Sequence, residues 1–220
     1  MDPYLPSTGA FDGQKSLNDK DVADLKRWGM NFVRLGVMWE AVERSPEIYD
    51  EEYIQRVEDL IYKLGEAGIY TLVDAHQDVF ARVMCGEGIP DFYAKQVIGK
   101  KPSCISPMAD MLLEDLYEKM GVCKDMRSFG YRVDENGDFE IEDCLKEIFA
   151  RYYYTKQGQS AFEALYTNRQ SLQDKFIAYW DFVSARFAGN PFVVGFDPIN
   201  EPPALNNVKD PSLRKPGVMD

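Results

Sequence analysis

Ile69-Tyr70-Thr71-Leu72-Val73-Asp74-Ala75-His76-Gln77-Asp78 is the stretch on which the fold turns. It is short and mostly apolar, then changes to polar residues at its C-terminal end. That is the pattern of a parallel strand covered on both faces and opening onto solvent where it stops. Just before it, Asp50 starts a helical pattern with Ile54, Val57, Leu60, Ile61 and Leu64 on one face, ended by Gly65 and Gly68. The same order occurs once more upstream. Asn18 is a helix N-cap, Val22, Leu25 and Trp28 follow at helical spacing, and Gly29 is the stop. Asn31-Phe32-Val33-Arg34-Leu35-Gly36-Val37 is then a second buried strand. Helix, strand, helix, strand with short joints is the grammar of βα units in a parallel sheet.

Downstream the rhythm breaks. From about Phe80 to Gln159 the chain carries Gly86-Glu87-Gly88-Ile89-Pro90, four cysteines and the polar turn Asp134-Glu135-Asn136-Gly137-Asp138. This reads as a long excursion above the sheet. Met111, Leu112, Leu116 and Met120 read as one amphipathic helix within it, and Leu145, Ile148, Phe149 and Tyr152 as another. A longer helical pattern runs from about Ser160 to Phe187. It delivers the chain to a last strand, Phe192 to Ile199, which ends in Asn200-Glu201-Pro202. No internal repeat, low-complexity tract or domain linker is visible.

Composition removes several classes. The 220 residues are 45% hydrophobic, which excludes a disordered chain, and there is no Gly-X-Y period. No run reaches the ~18 apolar residues of a transmembrane helix. A net charge of −12 should repel nucleic acid and anionic lipid surfaces and leaves neutral glycans or cations as compatible ligands. The N-terminus carries no basic region followed by an apolar stretch, so no signal peptide is expected in this chain. No Asn-x-Ser/Thr site occurs. With one histidine and no Cys-x-x-Cys pair, neither a zinc site nor any other metal or cofactor is expected. Cys85, Cys104, Cys123 and Cys144 leave two readings open. They form two disulfides that staple the excursion in an oxidising compartment, or they are four buried thiols.

Three strand ends are polar inside apolar segments: Arg34, His76 to Asp78, and Asn200-Glu201. Burying an arginine and carboxylates costs several kcal/mol unless they pair or meet solvent in a cleft. One pocket at the carboxyl end of the sheet resolves all three. Two plainer alternatives stand beside this: Glu201 as a carboxylate at a helix N-terminus, and His76 as a satisfied core histidine.

These residues also carry a resemblance. Asn200-Glu201-Pro202 at a strand end resembles the acid/base motif of clan A retaining glycoside hydrolases. The runs Asn31 to Glu40, Tyr70 to Asp78 and Gly86 to Asp91 resemble the second and third strand regions of glycoside hydrolase family 5. Within that family, His76-Gln77-Asp78 and Gly86-Glu87-Gly88-Ile89-Pro90 are nearest the endoglycoceramidase-related branch, which acts on glycosphingolipids. The resemblance implies an α/β fold, a (β/α)8 TIM barrel represented by about its first four βα units, with the insertion at roughly 80–159 between strands 3 and 4. It implies one partial catalytic domain over 1–220.

The roles follow from the same resemblance. Glu201 would be the general acid/base, Asn200 would contact the sugar 2-hydroxyl, and Arg34 would orient the nucleophilic carboxylate. His76 would line the glycone subsite, Asp78 would bond sugar hydroxyls, and Trp39 would either stack on a sugar or plug the barrel mouth. A retaining mechanism needs a second carboxylate about 5 to 5.5 Å from the acid. The family takes it from the seventh strand, and no residue here matches that position. The expectation is therefore a retaining β-glycosidase of glycolipids whose 220 residues alone are inactive, secreted or endolysosomal. A β-glucanase, a steryl or ceramide β-glucosidase and a non-catalytic carbohydrate-binding protein are the alternatives.

Overall fold

Capping chemistry sets the first elements. In the computed structural model, which describes Gln14, residues 16–204, Asn206 and residues 208–215, Asn18 accepts from the amides of Lys20 and Asp21. Asp21 returns the bond to the Asn18 amide, closing a capping box. Helix α1 (Asp19–Arg27) follows, then strand β1 (Phe32–Gly36) and a short helix α2 (Trp39–Val42). A two-stranded antiparallel pair, β2 (Glu43–Ser45) and β3 (Ile48–Tyr49), leads to α3 (Glu51–Glu66), which Asp50 caps through the Tyr53 amide. Strand β4 is Tyr70–Asp74. Beyond it come α4 (Asp91–Ile98), α5 (Pro107–Leu112), α6 (Glu114–Met120), α7 (Ile141–Cys144), α8 (Lys156–Tyr166), α9 (Leu172–Phe187) and β5 (Val193–Asp197).

The described chain divides into two compact units, one of residues 1–77 with 176–200 and one of residues 78–175 with 201–220. The first holds a three-stranded parallel sheet in the order β1-β4-β5. Ile54, Ile61 and Leu64 of α3 are fully buried, as are Ile69 and Val73 of the β4 region. Gly65 is required where α3 meets the sheet, because a Cβ there would sit 2.0 Å from the Phe192 ring. Tyr179 and Val183 of α9 are fully buried, and the Tyr179 hydroxyl donates to the Val37 carbonyl.

Two expectations fail here. β4 is the most covered of the three, though its first residue Tyr70 is 48% exposed; β1 alternates exposed and half-buried residues, with Phe32 49% exposed, and it and β5 are the outer strands. Trp28 is 60% exposed rather than packed, since it is the C-cap of α1 and falls past the last turn of the buried face.

The second unit is stapled by Cys85–Cys144 and Cys104–Cys123, with Cα separations of 5.4 and 6.1 Å, so the disulfide reading of the cysteines holds. Phe80 meets Phe162 edge-on at 5.0 Å, and Phe162 stacks on Tyr153. Its helices differ from expectation. The single helix through Met111 and Met120 is two, α5 and α6, broken at Leu113, and Met111, Leu112, Leu116 and Met120 are exposed. Leu145 and Ile148 are exposed in irregular chain, and only Tyr152 of that group is buried, in a 3₁₀ segment. The long helix from Ser160 to Phe187 is interrupted between α8 and α9, where Asn168, Gln170 and Ser171 take positive φ.

Candidate active site

Register fixes the geometry of the first unit. Gly36 pairs with Asp74 and Asp74 pairs with Asp197, so all three parallel strands end at one level. Side chains near these ends meet there, as the chain reversal at the carboxyl end of a parallel sheet requires. From β1, the Arg34 guanidinium reaches Asp74 Oδ2 with Nε at 2.8 Å and Asn200 Oδ1 with Nη2 at 2.6 Å. Its Nη1 lies 3.9 Å from Asp197 Oδ2. His76 Nδ1 lies 3.0 Å from Asp74 Oδ2. Arg34, His76 and Asn200 are thus brought together in the first unit, while Asp78 and Glu201 belong to the second.

The supporting residues were not legible beforehand. Gln77 donates from Nε2 to the Asn200 carbonyl at 2.8 Å, and Asn200 Nδ2 returns a bond to the Gln77 carbonyl at 3.1 Å. Asp74 is 1% exposed. Burial pushes its carboxyl above the ordinary range, and Asp197 adds to this, while the hydrogen bond with His76 and the charge of Arg34 pull it back. The signal available was the spacing of Asp74 and His76, two apart and therefore on one side of the strand.

The Trp39 ring is enclosed by its neighbours. It is 1% exposed, donates from Nε1 to Glu43 Oε2 at 2.6 Å, and packs against Phe176 and Tyr179, so its ring is not placed to stack on a sugar. His76 is neither buried core nor fully exposed, its side chain being 26% accessible. The helix-terminus reading of Glu201 fails, since no helix begins at residues 201–204; the residue is exposed with φ +37°.

In the second unit Asp78 and Glu87 exchange backbone hydrogen bonds of 3.0 and 2.7 Å. This explains the glycine of the following turn. A Cβ on Gly86 would lie 2.2 Å from the Asp78 carbonyl oxygen and 2.5 Å from that of Val79. Cys104, Asp110 and Cys123 of this unit have metal-ligand spacing, but the sulfurs are bonded to each other. Both Asp110 oxygens accept backbone amides, those of Cys104 and Ile105.

A parallel sheet joined by helices, whose carboxyl end gathers an arginine, carboxylates, a histidine and an asparagine, is the arrangement of the β/α barrel class. Solved structures agree on the fold: endo-glycoceramidase II from Rhodococcus sp. superposes with a TM-score of 0.60 and 24% identity, over 91% of this chain and 38% of that one. The model of Cellulase (glycosyl hydrolase family 5) matches residues 6–110 of the chain. It is 33% identical to an endoglycoceramidase of Hydra vulgaris and 31% identical to one of Cyanea nozakii, over 99% of this chain in each case. It spans 38% and 39% of the length of those relatives. Its fold is thus part of a (β/α)8 TIM barrel.

Proposed function

We propose that this chain supplies the acid/base half of a retaining glycosidase that cleaves β-glycosidic bonds of glycosphingolipids. The observation that carries the reading is the Arg34, Asp74, His76 and Asn200 cluster at the carboxyl end of the sheet, with Glu201 the next residue in the chain. The kinship to endoglycoceramidases supports the substrate class.

In this reading Glu201 protonates the glycosidic oxygen as it leaves and later deprotonates the attacking water. Asn200, held by Gln77 and Arg34, contacts the sugar 2-hydroxyl. Arg34 presents its guanidinium to the nucleophilic carboxylate, which the family supplies from its seventh strand. His76 and Asp78 bond hydroxyls of the glycone. Trp39 is left out, because its ring is packed away. No metal or cofactor is called for by this chemistry. The two disulfides favour a secreted or endolysosomal setting.

The test uses a protein carrying this chain together with the remaining length of its relatives. Glu201→Gln should slow hydrolysis of a fluorescent glycosylceramide by ~100-fold or more, since general acid catalysis supplies that much. An aryl β-glycoside, whose phenolate leaves without protonation, should lose much less. An unchanged rate on the glycosylceramide overturns the assignment.

A further inference from the structure

The polar turn Asp134-Glu135-Asn136-Gly137-Asp138 lies in the second unit and takes no part in the reaction proposed above. It is the loop of a small hairpin. Val133 bridges Phe139, the Asp134 amide donates to the Asp138 carbonyl at 2.8 Å, and the Glu140 amide donates to the Arg132 carbonyl at 3.0 Å. Gly137, at φ +83°, closes the turn by donating to the Asp134 carbonyl at 3.1 Å, a geometry that Asn-Gly favours.

Asn136 is the one asparagine in the sequence followed by glycine, and both residues are exposed. A glycine puts no Cβ beside its nitrogen, so that nitrogen can reach the side-chain carbonyl carbon of the asparagine before it. The resulting reaction needs only water and solvent base. The Gly137 nitrogen gives up its proton and bonds Asn136 Cγ; the Cγ–Nδ2 bond breaks and Nδ2 leaves as ammonia. Water then opens the five-membered imide. Attack on the former backbone carbonyl leaves the chain running through Cβ and Cγ as isoaspartate, whereas attack on Cγ gives aspartate. Either product replaces a neutral amide by a carboxylate.

The native turn opposes the first step. The attacking nitrogen already donates to the Asp134 carbonyl, and the departing Nδ2 lies 3.4 Å from Asp134 Oδ2. Asp134 Oδ1 accepts the Asn136 and Asp138 amides at 2.8 and 2.9 Å. From α4, Lys95 Nζ donates to the Asn136 carbonyl at 2.9 Å and lies 3.0 Å from Asp138 Oδ1. The imide therefore forms from the opened turn, and the extra backbone methylene of isoaspartate keeps the turn from closing again in the same register. We propose that Asn136 is a site of self-modification, converted to isoaspartate at a rate set by opening of the turn that Lys95 pins to α4, and that conversion unties the hairpin.

The folded chain is kept in mildly alkaline buffer for weeks and sampled by peptide mapping, with isoaspartate told from aspartate by electron-transfer fragmentation. Asn136 is expected to convert before any other asparagine, chiefly to isoaspartate. Conversion elsewhere first, or none at Asn136, overturns the proposal. Unfolding the chain in urea should speed the reaction at Asn136 by roughly tenfold or more, the handicap of a turn that is open less than about a tenth of the time. Equal rates in the folded and unfolded chain overturn the gating. Lys95→Ala should convert several-fold faster than wild type, and a folded Lys95→Ala protein with the wild-type rate overturns the pinning. If that variant does not fold, the comparison with urea decides. The converted chain, separated by anion exchange through its added charge, should lose hydrogen-exchange protection at the Asp134 and Glu140 amides, and retained protection overturns the untying. None of these readouts involves turnover, so failure of the glycosidase reading leaves the proposal standing or falling on its own.

Discussion

The two disulfides are nested, and their removal should cost different amounts for different reasons. Cys85–Cys144 closes a separation of 59 residues and Cys104–Cys123 one of 19 within it. Chain entropy values closing the larger loop at about 4 kcal/mol and the smaller at about 3 kcal/mol. Nesting changes little: the inner bond shortens the path round the outer loop by only about a third, and the dependence is logarithmic, so the correction is about 0.3 kcal/mol. Packing then narrows the difference. Cys104 and Cys123 are 1% and 2% exposed in a cluster with Tyr117 and Val208, whereas Cys85 and Cys144 are half-buried. Replacing the inner pair by alanine therefore adds about 1 kcal/mol of lost contact to its entropy term.

The expected costs are thus comparable, about 4 kcal/mol for Cys85→Ala with Cys144→Ala and about 4 kcal/mol for Cys104→Ala with Cys123→Ala. Against a typical domain stability of roughly 5–15 kcal/mol, losing both should leave the second unit barely folded. Urea unfolding followed by far-UV circular dichroism measures each cost. Limited reductant followed by alkylation and mass analysis should label Cys85 and Cys144 before Cys104 and Cys123. A loss below about 1 kcal/mol for the outer pair would refute the loop-entropy account. Labelling of the inner pair first would refute the burial argument.

Two further outcomes follow from the second unit. Gly86→Ala should destabilise it by about 2–3 kcal/mol in the same urea assay, because the new methyl meets two backbone carbonyls that cannot move aside as side chains do. Burial, with the neighbouring Asp138 charge, lifts the Asp91 carboxyl to about 6, against the Val83 amide bond and Lys95, which lower it. The folded state therefore binds more protons than the unfolded one between about pH 4 and 6, and stability falls as pH rises through that window. Wild type should be about 1 kcal/mol more stable at pH 5 than at pH 7.5 from this group, and Asp91→Asn should flatten the difference. An Asp91→Asn profile parallel to wild type removes the assignment.

What could be read in advance was what local chemistry determines. Asn18 and Asp50 announce their helices because a cap is a bond between a side chain and amides two or three residues on. The three parallel strands were legible from apolar runs that end in polar residues. The breaks in the second unit were not, because Asn168, Gln170 and Ser171 adopt positive φ without a glycine to signal it, and Leu113 interrupts α5 and α6 without proline. The same division runs through the site. Arg34, His76 and Asn200 stood out as polar residues in apolar company. What Gln77 and Asp197 do there was not legible, since one acts on a distant backbone carbonyl and the other is placed only by strand register.

The hinge between the two kinds of information is Asn200. Its backbone carbonyl, its Nδ2 and its Oδ1 each have a partner, at 2.8, 3.1 and 2.6 Å, and it is 6% exposed. Bonds worth about 1 kcal/mol each, two exchanged with Gln77 after β4 and one accepted from Arg34 of β1, hold the start of the next peptide in one place. Glu201 then takes φ +37° although it is not glycine, and Pro202 restricts its ψ from the other side. Such a backbone costs on the order of 1–3 kcal/mol and persists only where its surroundings over-determine it. The three Asn200 bonds are of the size needed to offset that strain. A strained carboxylate with its preceding residue bonded on three sides has no evident use in stabilising the fold, whereas an acid that must meet a leaving oxygen at a set distance needs just such a fixed origin. Under the glycosidase reading proposed above, the bonds at Asn200 give Glu201 a fixed backbone origin from which its carboxyl would act as the acid.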